Sequence, residues 1–218
     1  MKVKVCGLRE PDNIAEISKL PTDYLGLIFH PASPRFAGDS ALEAWIVKNE
    51  KALRDTPLVG VFVNAEVDFV LNAVHDYRLS WVQLHGEESA GYCQELKLLW
   101  SVNTLRKASI CKAFSVTEDF DFRATNEYVS SCSLFVFDTG GQATAGGTGK
   151  KWDWKKLEEY RGPIPFLLSG GIGPEDAEAI RRIDHPQFRG IDLNSRFESE
   201  PGVKDVSALT RFLHELHA

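Results

Sequence analysis

The chain has 218 residues, of which 43% are hydrophobic and 26% charged, and its formal net charge is −6. This is the balance of a globular protein long enough to bury a core without disulfide or metal staples. The acidic surplus excludes a general nucleic-acid binder, which needs a basic face for phosphates, but leaves room for a small anionic ligand held by local backbone N–H groups.

In chain order, the first apolar run is VKVC at residues 3–6, followed by a helix start at Pro11 and Asp12 and a predicted helix over 11–20. The run at 24–29 precedes a helical stretch at 39–54 with less regular apolar spacing. The run at 58–63 leads to a predicted helix over 65–77, with Val67, Val70, Leu71 and Val74 on one stripe. The run at 81–85 is followed by a predicted helix over 88–99, carrying Tyr92, Leu96 and Leu99. Runs at 110–114 and 134–138 precede the less regular helical stretches 117–130 and 153–161. The run at 165–169 leads to a predicted helix over 174–183, opened by Pro174 and two acids. The last run, 190–194, precedes a predicted helix over 204–217 with Val206, Leu209, Phe212, Leu213 and Leu216 at helical spacing.

The apolar runs are rich in branched residues with little alternation, as parallel strands covered on both faces require. Strand and helix alternate eight times with no linker or low-complexity segment between them. The expectation is an α/β protein, a (β/α)₈ barrel of the TIM type, filling residues 1–218 as a single domain. Such barrels typically take about 250 residues and go down to about 200.

The four cysteines, Cys6, Cys93, Cys111 and Cys132, show no metal-ligand spacing. The N-terminus does not read as a signal peptide, and no apolar run approaches the ~18 residues of a membrane span. A cytoplasmic protein with free thiols, no cofactor and no metal is expected. No exposed apolar stripe is evident, which favours a monomer.

A barrel places its active site at the C-terminal ends of the strands. Polar residues gather there in the sequence: Cys6 and Gly7, the segment from Phe29 to Arg35, Asn64, His85 and Gly86, Asp138 and Thr139, Ser169 to Gly171, and Asn194 with Ser195. The glycine-rich stretches GGTGK (146–150) and SGGI (169–172), with the end of the eighth run, match the recurrent phosphate site of this fold. Gly147, Gly170, Gly171, Asn194 and Ser195 are therefore candidate phosphate contacts, and a small phosphorylated molecule is the expected partner.

Cys6 is a candidate base, although a buried core thiol is the commoner reading for such a position. Cys93, Cys111 and Cys132 read as core thiols. Asp138 ends an otherwise apolar run and is either a general acid or a turn and capping residue. Arg35 offers a planar fork for a carboxylate, or lies on the surface. His85 reads first as a hydrogen-bonded strand-end histidine and second as a substrate contact. Lys4 shares the inward face with Cys6 and suits a structural pair with Asp192.

Taken together, KVCGL (4–8), LGLIFHPASPR (25–35), VGVFVN (59–64), VQLHGEE (82–88), FDTGG with GGTGKKWDW (137–154), LLSGGI (167–172) and GIDLNSRFE with PGVKD (190–205) resemble the phosphoribosylanthranilate isomerase family of tryptophan biosynthesis. The blocks span nearly the whole chain in order. The resemblance implies a cofactor-free Amadori rearrangement of an N-ribosylated anthranilate 5-phosphate, with Cys6 as general base and Asp138 as general acid. It further implies that Arg35 holds the anthranilate carboxylate and that amides near Gly147, Gly171, Asn194 and Ser195 hold the phosphate. One departure stands out: the family often carries Ser-Ser-Gly where this chain has Asn194, Ser195 and Arg196. A barrel isomerase of histidine synthesis would instead carry an aspartate base at the end of the first strand and two half-repeats. A non-catalytic phosphometabolite-binding module would lack the thiol or the acid.

Overall fold

The computed structural model describes residues 1–53, 55–102, 106–139 and 151–218. Eight parallel strands close into a barrel in sequence order: β1 (Lys2–Cys6), β2 (Tyr24–Ile28), β3 (Leu58–Phe62), β4 (Trp81–Leu84), β5 (Ser109–Val116), β6 (Leu134–Thr139), β7 (Phe166–Leu168) and β8 (Phe188–Leu193). Closure is made by β1 and β8, where Lys4 stands opposite Asp192, while on its other side Lys4 stands opposite Tyr24 of β2. Each apolar run anticipated from the sequence forms one of these strands.

Alternation along the strands creates two cores. Residues such as Val3, Val5, Leu25, Leu27, Phe135 and Phe137 point outward into the layer between sheet and helices. Cys111, Ala113, Leu134, Val136 and Leu167 form a smaller cluster along the barrel axis. The axial layer also holds polar groups, because Lys4, Gln83 and Asp192 are all buried there.

The outer layer consists of α1 (Pro11–Ile17), α2 (Ser40–Leu53), α3 (Val67–Asp76), α4 (Ala90–Val102), α5 (Ala177–Arg181) and α6 (Val206–His217). The buried stripe of α6 is Leu209, Phe212, Leu213 and Leu216, and Asp205 caps the helix by accepting from the Ala208 N–H. The predicted stripe on α3 is confirmed at Val70, Leu71 and Val74.

Two predicted helices take the tighter 3₁₀ form, over Phe122–Tyr128 and Trp154–Glu159. Each starts at an aspartate whose carboxylate accepts from the N–H two residues on, Asp121 from Arg123 and Asp153 from Lys155. That local bond favours a tight turn over an α-helical start, and short connectors tolerate 3₁₀ geometry. Aromatic contacts anchor these segments to the barrel: Phe122 lies 5.0 Å and Tyr160 5.1 Å, ring to ring, from Phe137 of β6. The predicted helix over 174–183 is divided into a 3₁₀ turn at Pro174–Asp176 and the short α5.

A small antiparallel ribbon, β9 (Glu198–Glu200) and β10 (Val203–Lys204), follows β8 and was not anticipated. Gly202 makes the reversal with a φ of +92°. Among the described residues no helix is long and apolar enough to cross a membrane.

Candidate active site

The strand ends bring Cys6, Arg35, His85, Asp138, Gly170, Gly171, Asn194 and Ser195 to one mouth of the barrel. Gly147 lies outside the described residues.

Cys6 ends β1 and is 4% exposed. Its thiol packs over Gly26 of β2, where an added Cβ would fall 2.7 Å from Sγ. Burial pushes the thiol pKa up, and the nearby Lys4 and Lys204 only partly offset that. Lys4, two residues below on the inward face, bonds Asp192 at 2.7 Å with both side chains buried. Burial works against the Lys4 charge, but Asp192 and the Cys6 sulfur outweigh it and hold the amine protonated. The pair anticipated from the sequence is formed, beneath the thiol.

Asp138 lies three strands round the barrel from Cys6. Its Oδ1 accepts from the Thr139 N–H at 2.7 Å, and its Oδ2 lies 3.3 Å from His85 Nε2. Burial raises its pKa, but the bonds from His85 and Thr139, with the charge of Lys4, bring it below the ordinary carboxylate value. His85 is fixed from behind. Gln83 Nε2 lies 2.8 Å from its Nδ1, and the following loop is tied by Glu88, which accepts from the N–H groups of Asn64 and Gly86 at 2.8 and 2.9 Å. His85 is thus the hydrogen-bonded strand-end histidine that the sequence favours, and its partner is Asp138.

Arg35 reaches the mouth from the loop after β2. Its guanidinium forks onto Glu198, with Nε 2.8 Å from Oε1 and Nη2 2.7 Å from Oε2. Glu198 also accepts from Lys204 Nζ at 2.7 Å, and Lys204 reaches Asn194 Oδ1 at 2.8 Å. Burial lowers the pKa of Lys204, while burial of Glu198 is outweighed by Arg35 and Lys204, so its pKa falls. Glu198, Lys204 and Gln83 were not singled out from the sequence. Each lies inside a quoted block, but a charged or amide residue there carries no sign of whether it faces the axis.

The loop after β7 supports the phosphate reading by its backbone. Gly170 and Gly171 have φ values of +96° and +68°. A side chain at Gly170 would also meet Thr139 Oγ1 at 2.2 Å, so only glycine fits. Lys151 ties the segment before it to the next turn, bonding Asp176 at 2.7 Å and Glu175 at 2.9 Å. Ser195 opens a 3₁₀ turn at Ser195–Phe197. Arg196, the departure from the Ser-Ser-Gly pattern, reaches across to Glu175 at 3.0 Å.

A closed parallel barrel with a thiol, an acid and a glycine loop at its C-terminal mouth defines the class: this is a (β/α)₈-barrel enzyme. The sequence pattern of the N-(5'-phosphoribosyl)anthranilate isomerases matches residues 3–215. An isomerase of that name from Parabacteroides distasonis is 43% identical over 99% of this chain and 93% of its own. One from Phocaeicola vulgatus is 36% identical over 99% and 98%. The crystal structure of phosphoribosyl anthranilate isomerase from Thermus thermophilus superposes with a TM-score of 0.79 at 26% identity, covering 100% of this chain and 98% of that one. The chain belongs to the N-(5'-phosphoribosyl)anthranilate isomerase family.

Proposed function

We propose that the chain converts N-(5-phosphoribosyl)anthranilate to 1-(2-carboxyphenylamino)-1-deoxyribulose 5-phosphate, with Cys6 as general base and Asp138 as general acid. The observation that carries this reading is the placement of those two side chains at one barrel mouth, on β1 and β6, between an arginine and a glycine-rich loop.

Asp138 protonates the ribose ring oxygen as the bond from carbon 1 to that oxygen breaks, and the anthranilate nitrogen supplies the electron pair that makes the Schiff base. Cys6 then removes the proton from carbon 2, giving an enolamine. Loss of the enol O–H proton and protonation at carbon 1 complete the ketone and balance the two earlier transfers. The substrate nitrogen acts as electron sink, so the reaction asks only for a placed acid and a placed base, each typically worth about 10²–10⁴-fold.

Both ends of the substrate are anionic. Arg35 takes the anthranilate carboxylate, and the amides near Gly170, Gly171, Asn194 and Ser195 take the phosphate, which fixes the reacting carbons between acid and base. Lys4 and Lys204 are the cations that favour a Cys6 thiolate. The test is complementation of a tryptophan auxotroph lacking this isomerase. Growth supports the assignment, and failure of a well-expressed, folded protein to restore growth overturns it.

A further inference from the structure

As the acid of the proposed isomerase, Asp138 must deliver a proton, yet its hydrogen bonds suit a carboxylate: the Thr139 N–H donates to Oδ1 at 2.7 Å, and His85 Nε2 stands 3.3 Å from Oδ2. On the far side of the imidazole, Nδ1 lies 2.8 Å from the amide nitrogen of Gln83. Gln83 is 1% exposed, and its amide oxygen has no partner among the described residues. A buried acceptor left unpaired is costly and asks for an explanation.

Half a turn of the Gln83 carboxamide exchanges its nitrogen and oxygen at nearly constant shape. In one orientation the amide N–H donates to Nδ1, and the imidazole is neutral with its proton on Nε2. In the other, the orphaned oxygen accepts from an Nδ1–H, which is present in the imidazolium and stays in the neutral ring once the Nε2 proton has left. Gln83 therefore has a bond for each protonation state of His85: its N–H serves a bare Nδ1, and its oxygen serves an Nδ1–H.

We propose that His85, held by Gln83, is the proton source for Asp138, and that the His85–Asp138 pair, rather than the carboxyl alone, is the acid of the reaction; the proposal rests on the isomerase assignment. The Nε2–H bond of the imidazolium breaks as Oδ2–H forms, and Oδ2–H breaks as the ring oxygen takes the proton. His85 is left neutral, its Nδ1–H on Gln83. The enol proton released as the ketone forms returns through Asp138 to Nε2, and Cys6 returns its proton to carbon 1.

Two ion pairs lie on the neighbouring strands and loop. Lys4 from β1 and Asp192 from β8 are bonded at 2.7 Å, and Lys112 from β5 pairs with Glu88 of the loop after β4 at 3.3 Å. Lys112 also donates to the carbonyls of Leu84 and Gly86, which flank His85 in the chain. Because Nε2 of His85 faces Oδ2 of Asp138 at 3.3 Å, the two groups share one proton as a unit.

The test is the pH dependence of kcat for the wild-type enzyme, His85→Gln and Gln83→Met. Glutamine sets an amide near the Nε2 position but cannot carry the proton. His85→Gln is expected to keep KM within about threefold, lose on the order of 10²-fold in kcat at neutral pH, and recover activity as the pH falls towards the carboxylate range. Gln83→Met, which changes no reacting group, is expected to shift the alkaline limb to lower pH. A His85→Gln enzyme with the wild-type pH profile, or one altered only in KM, overturns the proposal; the latter makes His85 a substrate contact. A second readout needs no turnover. Nitrogen-15 shifts of His85 and the carboxyl carbon-13 shift of Asp138 are expected to titrate together in the resting enzyme, and independent titration overturns the shared proton. A wild-type enzyme that fails to turn over phosphoribosylanthranilate sinks the isomerase reading by itself, whatever the NMR titration gives.

Discussion

Arg35 and Glu198 meet through two parallel hydrogen bonds, 2.8 Å at Nε and 2.7 Å at Nη2. This fork aims the guanidinium across the mouth and occupies two of its three nitrogens, so a substrate carboxylate meets the remaining edge. Arg35→Ala is expected to raise KM by about tenfold or more with a smaller change in kcat, because it removes an anchor and not a reacting group. Glu198→Gln, which loosens the fork while keeping its shape, is expected to raise KM less. Steady-state kinetics on both variants checks this, and an unchanged KM in Arg35→Ala would remove the carboxylate role.

The same carboxylate makes the fold sensitive to acid. Burial of Glu198 favours its neutral form, but Arg35 and Lys204 win and its pKa lies below the ordinary 4.5. The folded state therefore binds this proton more weakly than the unfolded chain does. The stability it contributes is present above pH 4.5 and is lost as the pH falls through its folded value. Urea titrations between neutral pH and pH 3 are expected to show a shallower acid loss for Glu198→Gln than for the wild type.

Lys4 and Asp192 test the interior. Removing one member of a buried pair leaves an uncompensated charge, at a cost of about 3–5 kcal/mol. Lys4→Met and Asp192→Asn are each expected to lower the denaturation midpoint, and the double variant to recover part of the loss. Simple additivity of the two would show that the charges are not coupled.

Much of the barrel was legible in the sequence because parallel strands buried on both faces read as apolar runs, and β1 to β8 stand where those runs do. The 3₁₀ segments were not, because a periodicity that suits a helix does not reveal that Asp121 and Asp153 will close a tight turn on the N–H two residues on. The β9–β10 ribbon is too short to leave a pattern. At the site, the strand-end rule located Cys6, His85, Asp138 and Gly170 by position alone. It could not locate Glu198 and Lys204, which reach the mouth from a ribbon beyond the last strand, nor show that Gln83, in mid-strand, faces inward beneath His85.

Cys6→Ala removes the proposed base while leaving Arg35 and the glycine loop in place. It is expected to lower kcat by about 10²–10⁴-fold with product affinity little changed. Calorimetric titration of the variant with the reaction product checks the binding half of that expectation.

The most direct measurement generates phosphoribosylanthranilate in situ and follows its anthranilate fluorescence after adding the wild-type protein, Cys6→Ala or Asp138→Asn. The account expects rapid fluorescence loss with the wild type and loss slowed by about 10²–10⁴-fold with either variant. No loss with a folded wild-type protein, or loss at the wild-type rate with either variant, would contradict it.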